Sequence, residues 1–267
     1  MKSLLVLVFY LVGTVLGSPT IPLEETKGTP GDGRIIGGYE VTDSTLFPHQ
    51  IALMNYNNDQ LFCGGSLLSE IFVLTAAHCV YGRTKESIYL RAGNVDLYNI
   101  PDVQAERVLN IFVNPYYNPP SNFGDLAILK TTSFTLDEYV WPVRLPVLGT
   151  TWSDGTMLTA TGWGRYSNDN NDVSPLLKAV DLSLVSAIEC EQAFPLQFTY
   201  HMLCMYGFNN NVCNGDSGGP VIATGSTNFL VGVVSFGAPL CATTIPDVII
   251  NVAHPNMRMF INETTGL

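Results

Sequence analysis

The sequence predicts an all-β protein, and three observations support this prediction. Glycine and proline are frequent, with 24 and 16 residues among 267, which indicates many turns. Short runs rich in β-branched and aromatic residues alternate with these turns. Few long stretches repeat apolar residues at the helical period. The composition is 46% hydrophobic, so the chain can bury a sizeable core in one large β domain or two small ones.

The predicted strands begin after residue 35 and are separated by turns. Six runs illustrate the pattern: residues 50–54, 71–75, 87–92, 126–130, 157–162 and 229–235. Strands of this length and spacing suit a sandwich or barrels. One helix-like stretch is predicted at residues 253–261, near the carboxyl end of the sequence.

The amino-terminal region indicates a secretory signal peptide at residues 1–17. Lys2 precedes an apolar run at residues 4–16, and the small residues Gly17 and Ser18 follow it. A transmembrane anchor is the alternative, but the run is shorter than the roughly 20 residues that span a bilayer. Because no other segment could cross a membrane, we expect a secreted, extracellular protein without membrane attachment.

Residues 18–34 are predicted to be an activation propeptide. The segment is polar and rich in turn residues, so it cannot bury enough apolar area to fold alone. It ends at Arg34, directly before Ile35-Ile36-Gly37-Gly38. The alternative is a disordered leader that stays attached. Since the segment has no cysteine, nothing would tether it after cleavage.

Charge and cysteine content exclude several function classes. A net charge of −11 disfavours nucleic-acid binding, because phosphate repels carboxylate. Six cysteines in an oxidising compartment suggest three disulfides, although spacing alone leaves their pairing open. The sequence has no closely spaced group of four Cys or His residues, so a structural zinc site is not expected. The loop at residues 94–103 lacks well-spaced acidic ligands for calcium, so we expect neither metal nor cofactor.

Three short segments contain residues suited to nucleophilic catalysis. Residues 74–79, Leu-Thr-Ala-Ala-His-Cys, contain His78, and residues 124–129, Gly-Asp-Leu-Ala-Ile-Leu, contain Asp125. Residues 215–220, Gly-Asp-Ser-Gly-Gly-Pro, contain Ser217. Each segment alone could be structural: a packed histidine, a turn aspartate or a glycine-rich turn. Their order, with Ile-Ile-Gly-Gly upstream, makes coincidence improbable.

From Ile35 onward the chain resembles the chymotrypsin family of serine endopeptidases, and in one respect the brachyurin group of arthropod digestive proteases. The resemblance implies two antiparallel six-stranded β-barrels, at about residues 35–145 and 146–267, with a short C-terminal helix. The active site would lie in the cleft between them. His78 and Asp125 would come from the first barrel and Ser217 from the second.

The resemblance also implies the chemistry of each residue. A serine hydroxyl is a weak nucleophile, but an imidazole with a reference pKa of about 6.5 can remove its proton during attack. Ser217 would therefore attack the peptide carbonyl, His78 would act as base and then acid, and Asp125 would orient His78. The backbone N–H groups of Gly215 and Ser217 would form the oxyanion hole, where one donor contributes about 3 kcal/mol.

Activation and the disulfides follow from the same resemblance. Cleavage after Arg34 would give Ile35 a new α-ammonium group, which would pair with Asp216 and order the oxyanion loop. The implied disulfides are Cys63–Cys79, Cys190–Cys204 and Cys213–Cys241.

The specificity pocket departs from the trypsin pattern. Asn211 lies six residues before Ser217, where trypsin-like members have an aspartate at the pocket floor. Gly237 would leave the pocket mouth open, and Ser235 and Gly237 would hydrogen-bond an extended substrate through their backbone. Asp247 stands where most relatives have glycine. It either returns a carboxylate to the pocket, as in brachyurins, or hydrogen-bonds locally with Asn211 or a turn.

We therefore predict a serine endopeptidase that cleaves after large apolar residues and tolerates Lys or Arg. Trypsin-like specificity through Asp247 is the alternative. A non-catalytic regulatory homologue would normally have lost part of the triad, and a cascade protease would have a longer leader with cysteines. A digestive or secreted effector role is therefore favoured.

The predicted partners are protein or peptide substrates, an activating trypsin-like protease and protein inhibitors, and the enzyme is expected to be a monomer. The remaining histidines, His49, His201 and His254, lack motif neighbours and are interpreted as structural or exposed. Asn262 begins a formal glycosylation sequon, Asn-Glu-Thr.

Overall fold

A computed structural model of the chain describes residues 38–99, 103–165, 172–208, 210–223, 228–238, 241 and 244–267. The predicted signal peptide, the predicted propeptide, Arg34 and Ile35 lie outside the described residues. The strands of the described part are β1 (Tyr39–Glu40), β2 (Gln50–Asn55), β3 (Leu61–Ser69), β4 (Phe72–Thr75), β5 (Ile88–Ala92), β6 (Gln104–Val113), β7 (Ala127–Thr131), β8 (Met157–Gly162), β9 (Lys178–Val185), β10 (Met202–Tyr206), β11 (Pro220–Ala223), β12 (Phe229–Phe236) and β13 (Asp247–Asn251). The helices are α1 (Ala77–Val80), α2 (Ala187–Ala193) and α3 (Pro255–Thr265), with a 3₁₀ turn at Lys85–Ser87.

The first barrel closes in the order β2-β3-β4-β7-β6-β5, and every pairing in it is antiparallel. Successive side chains of a strand point to opposite faces, so alternate residues fill the interior. Many of its aliphatic side chains are fully buried, among them Leu53, Leu67, Leu74, Leu90 and Ile128. Each contributes about 1.5–3 kcal/mol by leaving water, which explains why short strands suffice.

The second barrel closes in the order β8-β9-β10-β13-β12-β11, again with antiparallel pairs. The predicted all-β fold of two six-stranded barrels with a C-terminal helix is thus confirmed. The six predicted strands each match an observed strand to within one residue at either end. The predicted helix at 253–261 is observed as α3, which begins two residues later, at Pro255, and ends at Thr265.

Strand β1 pairs with β9, a strand of the second barrel, from outside the six strands that close it. Tyr39 lies opposite Ala179 of β9, in the part of that strand that β10 does not reach. Pairing with β1 satisfies backbone groups that would otherwise be unpaired. Lys178 Nζ also forms an ion pair with Glu40 Oε2 at 2.6 Å. Strand β1 therefore contacts β9 through both its backbone and a side chain.

Helix α2 was missed by the sequence analysis, although a local signal for it exists. Ser186 Oγ accepts a hydrogen bond from the Glu189 amide at 3.2 Å, and the Glu189 carboxylate accepts one from the Ser186 amide at 3.0 Å. This reciprocal capping box satisfies two amides that the first helical turn leaves free. The Ser-x-x-Glu spacing in the sequence would have predicted the start of this helix.

Three disulfides are formed, and they are the pairs that the family resemblance implies: Cys63–Cys79, Cys190–Cys204 and Cys213–Cys241. The first joins β3 to α1, beside His78. The third connects the segment before Ser217 with the segment before β13. Each closes a loop of the unfolded chain and contributes about 2–4 kcal/mol.

Candidate active site

His78 and Asp125 form a close pair at the edge of the first barrel. Helix α1, which is a single turn, follows β4 and places His78 beside the segment that leads into β7. His78 Nδ1 lies 2.7 Å from Asp125 Oδ2, and the His78 backbone N–H donates to Asp125 Oδ1 at 2.8 Å. The ring position and its backbone are therefore fixed by the two oxygens of one carboxylate.

Asp125 has a third donor from the second barrel. Ser235 Oγ donates to Asp125 Oδ2 at 2.5 Å, across 110 residues of sequence. The carboxylate is fully buried, and a buried charge requires such partners. The sequence predicts only backbone contacts for Ser235. No local pattern could have shown this bond, because it depends on how the two barrels pack.

Ser217 is held between the barrels by its neighbours' backbone. The Gly64 amide of β3 donates to Ser217 O at 2.7 Å, and the Gly218 amide donates to Val234 O of β12 at 2.8 Å. Ser217 and His78 line the same cleft. Within the described part of the chain, Ser217 Oγ and the imidazole form no hydrogen bond, and His78 Nε2 instead lies 3.7 Å from Cys79 Sγ. Such bonds often become short only when substrate binds.

The amides of Gly215 and Ser217 lie on a tight turn next to that hydroxyl. Gly215 has a φ of +100°, a conformation that disfavours any residue with a Cβ. Among the described residues, neither amide donates a hydrogen bond to a protein acceptor. Both donors are therefore unused within the part of the chain that the structure describes.

Asp216 points away from the cleft into the protein. It is almost completely buried, and its carboxylate accepts hydrogen bonds from the Gly164 amide at 2.8 Å and the Cys213 amide at 2.9 Å. Burial raises the pKa of Asp216 to about 6, although the two amide bonds work in the opposite direction. Its predicted partner, Ile35, lies outside the described residues.

A cleft of about 360 Å³ extends from Ser217 into the second barrel. Asp247, at the start of β13, lines it, and Asp247 Oδ2 accepts a hydrogen bond from the Val212 amide at 3.1 Å. Gly237 lies against this side chain, since a Cβ placed on Gly237 would be 2.2 Å from Asp247 Oδ1. Burial raises the pKa of Asp247 to about 8, and the charge of Asp216 acts in the same direction against the Val212 bond.

Asn211 is not among the residues that line the cleft, although its neighbour Val212 is. It is 1% exposed, and its Nδ2 donates to Ile245 O at 3.2 Å. Its Oδ1 has no hydrogen-bond partner among the described residues. Of the two residues expected at the pocket base, the structure therefore brings Asp247 to the cleft and leaves Asn211 outside its lining.

The described residues hold one His/Cys group with the dimensions of a metal site, formed by Cys63, His78 and Cys79. Both cysteines are in a disulfide with each other, so neither offers a thiolate ligand. In the same part of the chain, none of the helices combines the length and apolarity needed to cross a membrane.

Two antiparallel barrels with a His–Asp pair and a serine in the cleft between them define the class of chymotrypsin-like serine endopeptidases. Comparison with known proteins agrees with this class. The family model described as Trypsin matches residues 35–259. The chain belongs to this family of serine endopeptidases, and it is a hydrolase.

Relatives are similar along most of their length. Trypsin-3 of Salmo salar is 33% identical over 238 residues, covering 87% of this chain and 93% of the relative. Trypsin 5G1 of Aedes aegypti is 35% identical over 243 residues, covering 88% and 86%. Serine protease 1 of Rattus norvegicus is 32% identical over 259 residues, covering 95% of each chain. These relatives come from a fish, an insect and a mammal, so they do not confirm the expected closeness to arthropod proteases.

Proposed function

We propose that this chain is a secreted zymogen whose mature form hydrolyses peptide bonds with Ser217, His78 and Asp125. The observation that carries the proposal is the 2.7 Å contact between His78 Nδ1 and the buried Asp125, beside a cleft that Ser217 also lines. With its Nδ1 proton held by Asp125, the neutral ring has its basic lone pair on Nε2. Nε2 is the atom that must accept the proton of Ser217 Oγ during attack on the substrate.

The proposed reaction has two halves. Ser217 Oγ forms a bond to the substrate carbonyl carbon while its proton moves to His78 Nε2. The C–N bond then breaks, and His78 gives the proton to the leaving amine. Water then attacks the ester carbon while His78 takes its proton; the bond between that carbon and Ser217 Oγ breaks, His78 returns the proton to Oγ, and the acid product leaves.

The amides of Gly215 and Ser217 are proposed to bind the negative oxygen of both tetrahedral intermediates. Support comes from the positive φ of Gly215 and from the absence of another acceptor for either amide within the described residues. Donors already directed at the place where charge develops need no reorganisation during the reaction.

Activation is proposed to follow cleavage after Arg34. The signal peptide would comprise residues 1–17, the propeptide residues 18–34 and the peptidase domain residues 35–267. Asp216 supports this proposal because it is buried with only amide donors around it in the described part of the structure. A new ammonium group on Ile35 would compensate the cost of burying this charge.

The substrate preference is proposed to be mixed, with large apolar residues favoured and Lys or Arg tolerated. Gly237 leaves the pocket open and Asp247 lines it, whereas burial keeps the Asp247 carboxyl largely protonated at neutral pH. The specific alternative is trypsin-like preference through Asp247, which the names of two relatives favour. A digestive role, a monomeric state and control by protein inhibitors complete the proposal.

One experiment tests the proposed function. The full-length chain is secreted from eukaryotic cells, treated with trypsin that is then inhibited, and incubated with a mixed peptide library. We expect cleavage that appears only after treatment and is absent from Ser217→Ala. Equal cleavage by Ser217→Ala would refute the catalytic assignment, and binding without cleavage by the wild type would favour the regulatory homologue.

A further inference from the structure

His201 connects the second barrel to the residue that precedes Asp125. It lies directly before β10 and is fully buried. Its Nε2 accepts a hydrogen bond from the Gly124 amide at 3.0 Å, across 77 residues of sequence. The ring also packs edge-on against Phe123, with centroids 4.5 Å apart. The histidine therefore contacts two consecutive residues on the amino-terminal side of Asp125.

The Gly124 peptide is fixed from its other side as well. Its carbonyl accepts hydrogen bonds from Asn114 Nδ2 at 3.0 Å and from the Leu126 amide at 2.7 Å. With both polar groups occupied, the backbone that leads into Asp125 has little freedom to move. Of the three hydrogen bonds to this peptide, only the one to His201 comes from the second barrel. Together with the Ser235 bond to the Asp125 carboxylate, it fixes the Asp125 segment against the second barrel.

The protonation state of His201 suits an acceptor. Nε2 can accept from Gly124 only when the ring proton is on Nδ1. Nδ1 lies 2.9 Å from Thr199 Oγ1, which can accept that proton's hydrogen bond. Burial lowers the pKa of His201 to about 4, and His254 adds to this effect while Asp125 opposes it. The ring is consequently neutral near pH 7, which is the form that can accept a hydrogen bond.

We propose that His201 is a positioning residue, which orients the Asp125 carboxylate toward His78 by accepting the Gly124 amide hydrogen bond from the second barrel. This inference rests on the proposed function, since it gives His201 a role only through Asp125. Removal of the acceptor would leave a buried amide unpaired, which is costly. The loop would then move toward another acceptor and take Asp125 away from His78.

Two substitutions of His201 separate positioning from packing. His201→Gln keeps an acceptor at nearly the position of Nε2, whereas His201→Leu fills the space without one. In the activated full-length chain, we expect His201→Leu to lower kcat by about 10–100-fold, because small misplacements of catalytic groups have effects of this size. KM should change little, since His201 is not part of the cleft lining. His201→Gln should stay within about threefold of wild type.

The pH profile supplies a readout that a loss of folded protein would not alter. A carboxylate close to an imidazole stabilises its protonated form. If Asp125 moves away, the acid limb of kcat/KM should shift to lower pH in His201→Leu and not in His201→Gln. His254→Leu is the matched packing control: its ring contacts that of His201 at 6.1 Å, and among the described residues no hydrogen bond joins it to the Asp125 loop. It should behave as wild type.

The proposal is overturned if folded His201→Leu keeps the wild-type kcat and acid limb, or if His201→Gln is as impaired as His201→Leu. Should His201→Leu not fold, Thr199→Val gives the second test, because loss of the Nδ1 partner favours the other tautomer. Thr199→Val should lower kcat severalfold and shift the acid limb of kcat/KM to lower pH. If Thr199→Val keeps the wild-type kcat and acid limb, the proposal is also overturned. Asp125→Asn distinguishes the two claims: if it retains activity, the proposed function itself fails.

Discussion

Asp125 and Asp247 are both buried carboxylates beside the same cleft, but their surroundings differ. Asp125, at the edge of the first barrel, accepts hydrogen bonds on both oxygens from His78 and Ser235. Asp247, at the start of β13, accepts a single bond from the Val212 amide and lies close to the charge of Asp216. This difference supports the proposal that the two carboxylates have different tasks. A carboxylate with several donors is fixed in place, whereas burial with a single donor raises the pKa of Asp247 to about 8, so that its charge depends on pH.

The largest expected difference between the two residues appears when each carboxyl group is replaced in turn by an amide. Asp125→Asn should lower kcat by about 10⁴-fold, the size of the loss in the family's template enzymes, because the amide stabilises the wrong imidazole tautomer. Asp247→Asn should leave kcat for an apolar substrate within about threefold, since no reacting atom contacts it. Steady-state kinetics of both variants on one apolar peptide would measure this. Similar losses in the two variants would contradict the division of tasks.

Asp216 is the third buried carboxylate and extends the comparison to activation. Arg34→Ala should prevent the Ile35 ammonium from forming. Loss of one partner of a buried pair costs roughly 3–5 kcal/mol, so activity after trypsin treatment should fall by about 100-fold or more. The assay is peptidase activity before and after treatment, with Arg34→Lys as the control that remains cleavable. Full activity in Arg34→Ala would show that Asp216 needs no new partner.

The contact between Gly237 and Asp247 can be tested with a double-mutant cycle. A Cβ on Gly237 would lie 2.2 Å from Asp247 Oδ1, so Gly237→Ala must displace the carboxylate or close the pocket. Overpacking of this kind costs about 1–3 kcal/mol, which corresponds to a loss of about 5–150-fold in kcat/KM for large apolar substrates. Asp247→Gly should restore much of that loss in the double variant. Independent effects of the two substitutions would contradict direct contact.

The smallest expected effect is a change of substrate preference with pH, which tests the titration of Asp247. The ionised fraction of a carboxyl group grows as the pH rises through its pKa, and burial raises the pKa of Asp247 to about 8. The ratio of cleavage after Lys to cleavage after Leu should therefore increase between pH 6 and pH 9, by at least about fivefold. Asp247→Asn should show a constant ratio, with the Asp125-dependent acid limb unchanged. A rising ratio in Asp247→Asn would assign the effect to another group.

Much of this architecture could be predicted from the sequence because its determinants are local. A short run of strand-forming residues predicts β8 at residues 157–162, and the segments around His78, Asp125 and Ser217 are short and contiguous. The carboxyl-terminal helix could be predicted as well, although its observed start at Pro255 follows from the preference of proline for the first helical turn.

The contacts that could not be predicted are those between distant segments. The Ser235–Asp125 and His201–Gly124 bonds depend on the packing of one barrel against the other. His201 was interpreted from the sequence as an ordinary structural or exposed residue, since its neighbours in sequence have no catalytic motif. Similarly, the sequence could place Asn211 and Asp247 near the pocket, but only three-dimensional packing shows that Asp247 lines the cleft and Asn211 does not.

The central claim is that Ser217 is a nucleophile activated by His78, and covalent labelling tests it most directly. The activated chain is treated with a fluorophosphonate, digested and analysed by mass spectrometry. We predict one adduct, on Ser217, which is absent from the untreated precursor and strongly reduced in His78→Ala. The account would be contradicted if the activated enzyme cleaved peptides while Ser217 stayed unlabelled. It would also be contradicted if the His78→Ala variant were labelled as strongly as the wild type.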